Sequence, residues 1–312
     1  MRLVKARALS PGDTIGIVAC SEPIRKNDFL RGVAVLKQLG FRIREGKHLF
    51  SRRCDYITAS DEKRAEDINE MFRDPEIAGI IVAQGGTSAN RLLPLLDYDL
   101  VAQNTKVFCG YSDSTVLSLA FLRKAKLVTF HGPNLAHLGA ESLNPKAFFK
   151  MVTRSLPGKL LAHTKWKTLR SGPVVNGRLI GGNLQRLVDT LATPYFPDIR
   201  RAVLFWEEVG EDPADIDRSL RTLRNAGVFE KIRGMVVGKL TNCKPTKKSE
   251  YHDYLPIKTT ILEATAGYSF PILADVDFGH NVPQLTLPVG IRVRLDAAKR
   301  SLALIERPVR WK

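Results

Sequence analysis

The chain has 312 residues, of which 44% are hydrophobic, and it carries a formal net charge of +16 at pH 7. This length suggests about two domains of roughly 100–200 residues each, with enough apolar content for a packed core. No apolar run approaches the roughly 18 residues of a membrane span, and the charged first residues lack the apolar stretch of a secretory signal, so we expect a cytoplasmic protein.

Predicted strands and helices alternate in the first half of the chain. Phe29, Val33 and Leu36 recur at helical spacing, and Gly40 ends that helix as a C-terminal glycine does. Such alternation is typical of parallel βαβ units. Strands are predicted at 14–19, 42–44, 78–83 and 106–109, and a second, charged helix at 61–72.

The second half begins with a segment rich in Pro, Gly and basic residues at 156–173, which we predict to be a linker with room for one edge strand. Beyond it, Ile216, Leu220 and Leu223 lie on one face of a predicted helix. Strands are predicted at 202–207, 234–237 and 272–276, and a β-hairpin with strands at 291–295 and 301–305.

Cysteine and histidine spacing gives no sign of a metal or cofactor site. The four cysteines lie far apart, and the histidines lack an H-E-x-x-H pattern, so we expect neither a metal nor another cofactor. Basic residues are dispersed rather than arranged in an aromatic-interleaved stripe, which favours a solvated basic surface. A basic nucleic-acid-binding protein is less favoured but stays open as a different class of function.

Ser112 lies between the strand at 106–109 and an apolar helix that contains Leu117 and Phe121. A serine at such a turn is exposed as a nucleophile, and the next backbone N–H can stabilise an oxyanion. The usual G-x-S-x-G pattern is broken because Ser114 replaces its last glycine. This break counts against a generic α/β-hydrolase esterase, and an ordinary helix N-cap is the alternative reading of Ser112.

A serine nucleophile needs a base and a carboxylate that orients it. His280 follows a predicted strand and a glycine, and His131 is the rival base. Glu207 and Glu208 end the strand at 202–207. The alternative is that each histidine has only a structural role and that each acid is a solvated residue at the end of a strand.

Two glycine-rich turns are further candidates for the site. The loop 85–88 follows a buried strand, where substrates bind in open α/β sheets, and its Gly86 is a candidate oxyanion donor. The turn 181–183 precedes a helix. Neither turn has a G-x-G-x-x-G or a Walker pattern, so nucleotide binding of those kinds is not indicated.

The combination of these motifs resembles the L,D-carboxypeptidase family, which includes muramoyltetrapeptide carboxypeptidases and microcin C immunity peptidases. The resemblance extends over nearly the whole chain, from the Pro-Gly-Asp turn at 11–13 to Gly290. In order along the chain, it rests on Gly-Tyr-Ser-Asp at 110–113, Thr-Phe-His-Gly-Pro at 129–133, Leu-Ile-Gly-Gly-Asn-Leu at 179–184, Leu-Phe-Trp-Glu-Glu at 204–208, Ile-Asp-Arg at 216–218, Ala-Gly-Val-Phe at 226–229, Phe-Gly-His at 278–280 and Leu-Pro-Val-Gly at 287–290.

The resemblance implies an α/β fold, with an N-terminal parallel-sheet α/β domain (1–155), the linker 156–173 and a β-rich C-terminal domain (174–312). It also implies a homodimer and an active site between the domains. The implied catalytic triad is Ser112, Glu207 and His280. The backbone N–H groups of Asp113 and Gly86 match the family's oxyanion hole. We expect Thr87, His131 and Asn183 to bind the substrate or to shape the pocket that holds it.

The implied reaction is release of terminal D-alanine from a murein tetrapeptide through an acyl-enzyme, without a metal. Cleavage of a peptidyl-nucleotide or aminoacyl-nucleotide antibiotic, as in the microcin C immunity peptidases, is the alternative. Many relatives carry Gly-Gly-Tyr-Gly where this chain has Gly-Gly-Thr-Ser at 85–88, a departure that bears on the choice of substrate.

Overall fold

The computed structural model describes residues 3–139, 145–160, 164–245, 253–280 and 285–311. Its strands are β1 (Thr14–Val18), β2 (Arg42–Glu45), β3 (Ile77–Val82), β4 (Val107–Gly110), β5 (Thr129–His131), β6 (Gly158–Lys159), β7 (Lys167–Arg170), β8 (Val175–Asn183), β9 (Val203–Val209), β10 (Gly234–Thr241), β11 (Ile272–Val276), β12 (Leu287–Val289), β13 (Arg292–Asp296) and β14 (Ser301–Leu304). Its helices are α1 (Lys26–Gln38), α2 (Asp61–Arg73), α3 (Tyr98–Gln103), α4 (Thr115–Ala120), α5 (Leu135–Leu138), α6 (Pro145–Arg154), α7 (Leu184–Thr190), α8 (Pro213–Asn225) and α9 (Ile257–Ala264).

The first sheet has six strands in the order β12-β5-β4-β3-β1-β2. All neighbours in it are parallel except β12 and β5. Its central strands are apolar along their whole length because helices cover both faces, as is usual for parallel sheets. On one face, Phe72 and Phe108 pack edge-on against Phe121.

The second sheet has eight strands in the order β6-β14-β13-β8-β9-β10-β11-β7. Its centre, from β8 to β11, is parallel, and antiparallel strands flank that centre on both sides. The edge strands β6 and β7 both come from the segment 156–173. This segment therefore closes both edges of the second sheet in addition to connecting the two sheets.

The predicted fold class is confirmed: a parallel-strand sheet in the N-terminal region is followed by a second, sheet-rich part. The predicted hairpin is confirmed as β13 and β14, which pair antiparallel. The predicted domain boundaries stay a prediction, and β12 adds a strand from the C-terminal region to the first sheet. No helix among the described residues is long and apolar enough to cross a membrane.

The two sheets meet where the first residues of α4 face the end of β8. There the backbone N–H of Asn183 donates a hydrogen bond to Thr115 Oγ1 over 3.1 Å. Because α4 follows β4 and β8 lies beside β9, this contact brings the carboxyl ends of β4 and β9 towards each other. The candidate side chains lie at these strand ends.

Candidate active site

Ser112 lies between β4 and α4, where its backbone has a φ of 62°. A non-glycine residue in this left-handed region is uncommon and persists only where the surrounding structure imposes it, often at functional sites. Ser112 opens a short 3-10 turn, and the cap positions of that turn and of α4 belong to Tyr111 and Ser114. The helix N-cap interpretation of Ser112 is therefore wrong, and the turn has the form of a nucleophile elbow.

Hydrogen bonds on both sides hold this elbow in place. The Oδ1 atom of the buried Asn134 accepts from the Tyr111 N–H over 3.1 Å, and Ser114 Oγ donates to the Tyr111 carbonyl over 3.0 Å. Asn134 Nδ2 lies 3.6 Å from the position that a Cβ on Gly85 would take, and Ser112 Oγ lies 3.2 Å from the same point. Asn134 was not among the predicted site residues, although it directly follows the His-Gly-Pro motif.

The loop 85–88 packs against the elbow. Gly86 has a φ of 141°, and a Cβ added there would lie only 2.3 Å from Ser21 Oγ, so this position requires glycine. Ser88 fixes the far end of the loop, because its N–H donates to Ser21 Oγ over 3.0 Å. Thr87 is exposed at the tip, and its predicted role in substrate binding stays a prediction.

The structure brings Glu207 and His280 together. Glu207 is fully buried at the end of β9, and its Oε2 lies 2.8 Å from His280 Nδ1. Gly279 allows the approach, since its φ is 128° and a Cβ there would lie 2.7 Å from the Lys239 carbonyl oxygen. A carboxylate on Nδ1 sets the imidazole so that Nε2 is the atom available as a base.

The ring of Tyr111, the residue before the elbow serine, lies beside the His280 ring at a centroid distance of 4.7 Å. This contact joins the residue before the elbow serine to the imidazole ring of His280. Among the described residues no hydrogen bond joins Ser112 Oγ to His280. Such a bond often tightens only when a substrate is bound, so its absence does not argue against the pair.

His131 is buried at the end of β5, against the rings of Tyr111, Phe205 and Phe278. Burial lowers the pKa of His131 to about 4, so its imidazole is neutral near pH 7. The buried His131 ring thus packs against the Tyr111 ring and supports it from the protein interior. Its predicted effect on substrate binding is untested.

Glu208 is buried too, so the alternative interpretation of the two acids as solvated strand ends is wrong for both. Its carboxylate accepts hydrogen bonds from Asn183 Nδ2 over 2.6 Å, from the Gln185 N–H over 2.9 Å and from the Val209 N–H over 2.9 Å. Burial raises the pKa of Glu208 to about 6, which still leaves the carboxylate ionised at pH 7. Glu207 and Glu208 contact different elements because side chains alternate along a strand.

Asn183 has two structural contacts through its side chain. Its Oδ1 accepts from the Arg186 N–H in the first turn of α7, which makes Asn183 the N-cap of that helix, and its Nδ2 donates to Glu208. These bonds give Asn183 a positioning task at the sheet junction. Direct binding of substrate by Asn183 stays a prediction.

We expect Glu207→Gln to lower turnover by about 10⁴-fold, because loss of the orienting carboxylate leaves the base in the wrong tautomer. Glu208→Gln should lower turnover by less than about 100-fold but reduce thermal stability, because its amide NH₂ would face at least one of the three buried N–H donors. Steady-state rates and circular dichroism melting curves of both variants measure this difference. The reverse ranking of turnover would assign the orienting role to Glu208.

Within the described part of the chain, no group of three or more His, Cys, Asp or Glu side chains is arranged to hold a metal ion. The prediction that the reaction needs no metal is left to experiment.

Two family models match the chain: the LD-carboxypeptidase N-terminal domain at residues 15–132 and the LD-carboxypeptidase C-terminal domain at residues 176–295. The chain is 32% identical over 305 residues to the "Probable murein peptide carboxypeptidase" of Bacillus subtilis, a match that covers 97% of this chain and 94% of the relative. It is also 32% identical over 337 residues to the "Microcin C7 self-immunity protein MccF" of Escherichia coli, covering 96% and 95%. The solved structure of MccF with aspartyl sulfamoyl adenosine superposes with a TM-score of 0.89 at 29% identity, over 98% of this chain and 100% of that one.

Proposed function

Because this chain belongs to the LD-carboxypeptidase family, we propose that Ser112 is its nucleophile, His280 its general base and Glu207 the acid that orients the base. Membership confirms the resemblance found in the sequence and makes the chain a peptidase of the serine carboxypeptidase type. The observation that supports the triad best is the 2.8 Å contact between Glu207 Oε2 and His280 Nδ1, and the ring of Tyr111, next to the elbow serine, packs against the same imidazole.

In the proposed reaction, His280 Nε2 takes the proton of Ser112 Oγ as that oxygen attacks the carbonyl carbon of the scissile amide. The tetrahedral intermediate collapses when the imidazolium gives its proton to the leaving amine and the C–N bond breaks. Water then attacks the acyl-enzyme, with His280 again acting as the base, and releases the acid and free Ser112. Glu207 stabilises the imidazolium in both halves of the reaction.

The backbone N–H groups of Asp113 and Gly86 are the proposed oxyanion donors. Asp113 follows the nucleophile directly, which is the usual position of one such donor, and the loop of Gly86 packs against Ser112. Donors fixed in advance stabilise charge as it develops without further reorganisation, so they contribute a large part of the rate enhancement.

The proposed substrate is a small peptide, a murein tetrapeptide that loses its terminal D-alanine in the cytoplasm. A peptidyl-nucleotide is the second candidate, since one relative is named for self-immunity to microcin C7 and is solved with aspartyl sulfamoyl adenosine. The loop 85–88, with Thr87 exposed at its tip, is the part of the site that we expect to distinguish the two. As the family resemblance implies, we also propose a homodimer.

Incubation with murein tripeptides, murein tetrapeptides and aminoacyl-nucleotides, followed by mass spectrometry of the products, tests this choice. We expect the tetrapeptide to lose one alanine while the tripeptide stays intact. Cleavage of the aminoacyl-nucleotide alone would move the assignment to the immunity-type reaction. Cleavage of none of these compounds would contradict the proposed substrate class.

Dialysis against EDTA is expected to leave the rate unchanged, because a serine deprotonated by His280 as it attacks and fixed N–H donors carry out the proposed chemistry without a Lewis acid. The comparison is with the same enzyme dialysed against buffer, and zinc is added back afterwards. A loss of rate that zinc restores would overturn the metal-free mechanism.

A further inference from the structure

The three proposed triad residues lie at the ends of strands from two different sheets. Ser112 follows β4 of the six-stranded sheet, whereas Glu207 lies near the end of β9 and His280 follows β11, both in the eight-stranded sheet. Proton transfer between Ser112 and His280 requires the two sheets to be positioned relative to each other to within a fraction of an ångström. A structural element that fixes this relative position would therefore affect the rate of the reaction.

On the side of the nucleophile, the Asp113 carboxylate holds the elbow and the loop 85–88 together. Its Oδ2 accepts from the Ala89 N–H, the first residue beyond that loop, over 2.7 Å. This side chain thereby links the residue that carries one proposed oxyanion donor to the end of the loop that carries the other, Gly86. The Asp113 side chain has no exposed surface, so its charge is not screened by water.

Arg186 on α7 provides the positive charge beside Asp113. Its Nη1 lies 3.2 Å from Asp113 Oδ1, and the Arg186 side chain is 17% exposed. It contacts Asp189 on its own helix at 3.2 Å as well. This ion pair joins the second half of the chain to the residue after the nucleophile.

The other end of the connection lies beside the triad acid. Glu208, next to Glu207 on β9, binds the Gln185 N–H and the side chain of Asn183, and Asn183 caps the Arg186 N–H. A continuous series of hydrogen bonds thus runs from the neighbour of the triad acid, through the first turn of α7, to the neighbour of the nucleophile.

We propose that Arg186 is a positioning residue for the reaction, which fixes Asp113 and compensates its buried charge beside the oxyanion hole. The inference rests on the proposed function of Ser112. Without Arg186, the buried Asp113 carboxylate would be left without its ion-pair partner close to the oxygen that becomes negative in the transition state. Repulsion between two charges several ångströms apart in a partly buried site corresponds to a rate loss of roughly 10- to 100-fold.

The test compares Arg186→Met, Arg186→Lys, Asp113→Asn and the double variant Asp113→Asn/Arg186→Met. The matched control is Arg221→Met, which removes an arginine of α8 that pairs with Asp217 at 3.2 Å and with Glu263 at 3.8 Å. For each variant, kcat, KM, the melting temperature and the rate at which a fluorophosphonate labels Ser112 are measured.

We expect Arg186→Met to lower kcat and the labelling rate by roughly 10- to 100-fold with KM nearly unchanged, and Arg186→Lys to restore most of the loss. The double variant should have a higher kcat than Arg186→Met, because it no longer contains an unpaired buried carboxylate. For the same reason, the double variant should fold even if Arg186→Met does not. A purely structural role would lower the melting temperature of the Arg186 variants but leave kcat and the labelling rate unchanged well below that temperature. That pattern would overturn the inference.

Labelling of the parent protein distinguishes a failure of the proposed function from a failure of the proposed role of Arg186. If Ser112 of the parent is not labelled, the proposed function itself fails. If it is labelled and Arg186→Met is labelled equally fast, only the role of Arg186 fails.

Discussion

Ser112→Ala is expected to lower turnover by about 10⁶-fold, because removal of a triad nucleophile leaves only the contribution of binding and the oxyanion hole. Ser112 lies half-buried at the strained elbow, next to Tyr111, whose ring contacts His280, and alanine keeps the backbone while removing the attacking oxygen. Product release per enzyme, followed by mass spectrometry over long incubation, measures the loss.

The matched control is Ser118→Ala. Ser118 is buried on α4, and its hydroxyl has no hydrogen-bond partner within the described ranges, so its removal should change turnover by less than about threefold. Activity of Ser112→Ala within tenfold of the parent would exclude the serine mechanism.

His280→Ala should be comparably damaging, by about 10⁶-fold, because nucleophile and base act as one unit. The rival histidine serves as the control in the variant His131→Phe, which keeps a ring against Phe205 and Phe278. With its pKa lowered to about 4 by burial, His131 is a poor base near pH 7, so this variant should lose less than about 100-fold.

The pH dependence of kcat/KM provides a second readout for the histidines. His131→Phe should keep the profile of the parent, because a group that titrates near pH 4 contributes no change between pH 6 and 8. Added imidazole should partly restore His280→Ala and leave His131→Phe unaffected. If His131→Phe proves the more damaging variant, the base has been assigned to the wrong histidine.

Strand and helix patterns in the sequence predicted most strands of both sheets but missed β5 and β8, and the division into two domains was implied by the family resemblance. The strands β1 to β4 could be predicted because buried parallel strands are continuous apolar runs, and the β13–β14 hairpin because its two strands are neighbours along the chain. It was harder to predict the two edge strands of the second sheet and the pairing of β12 with the first sheet. They are short, and their pairing depends on partners that lie far away in the sequence.

The candidate triad could be predicted from motifs, but the groups that support it could not. Glu208 ends a strand as an exposed acid would, and only the tertiary fold shows it bound to Asn183 and Gln185. The pairing of Asp113 with Arg186 joins residues 73 positions apart, which no local pattern indicates. Asn134 was missed because a single asparagine after a proline has many possible roles.

Labelling with a fluorophosphonate, followed by peptide mapping, tests the central claim most directly. The account predicts one adduct, on the peptide that contains Ser112, formed at a rate that falls by orders of magnitude in His280→Ala and is unchanged in Ser118→Ala. An adduct on another residue, or turnover of substrate by protein that is fully labelled at Ser112, would contradict it.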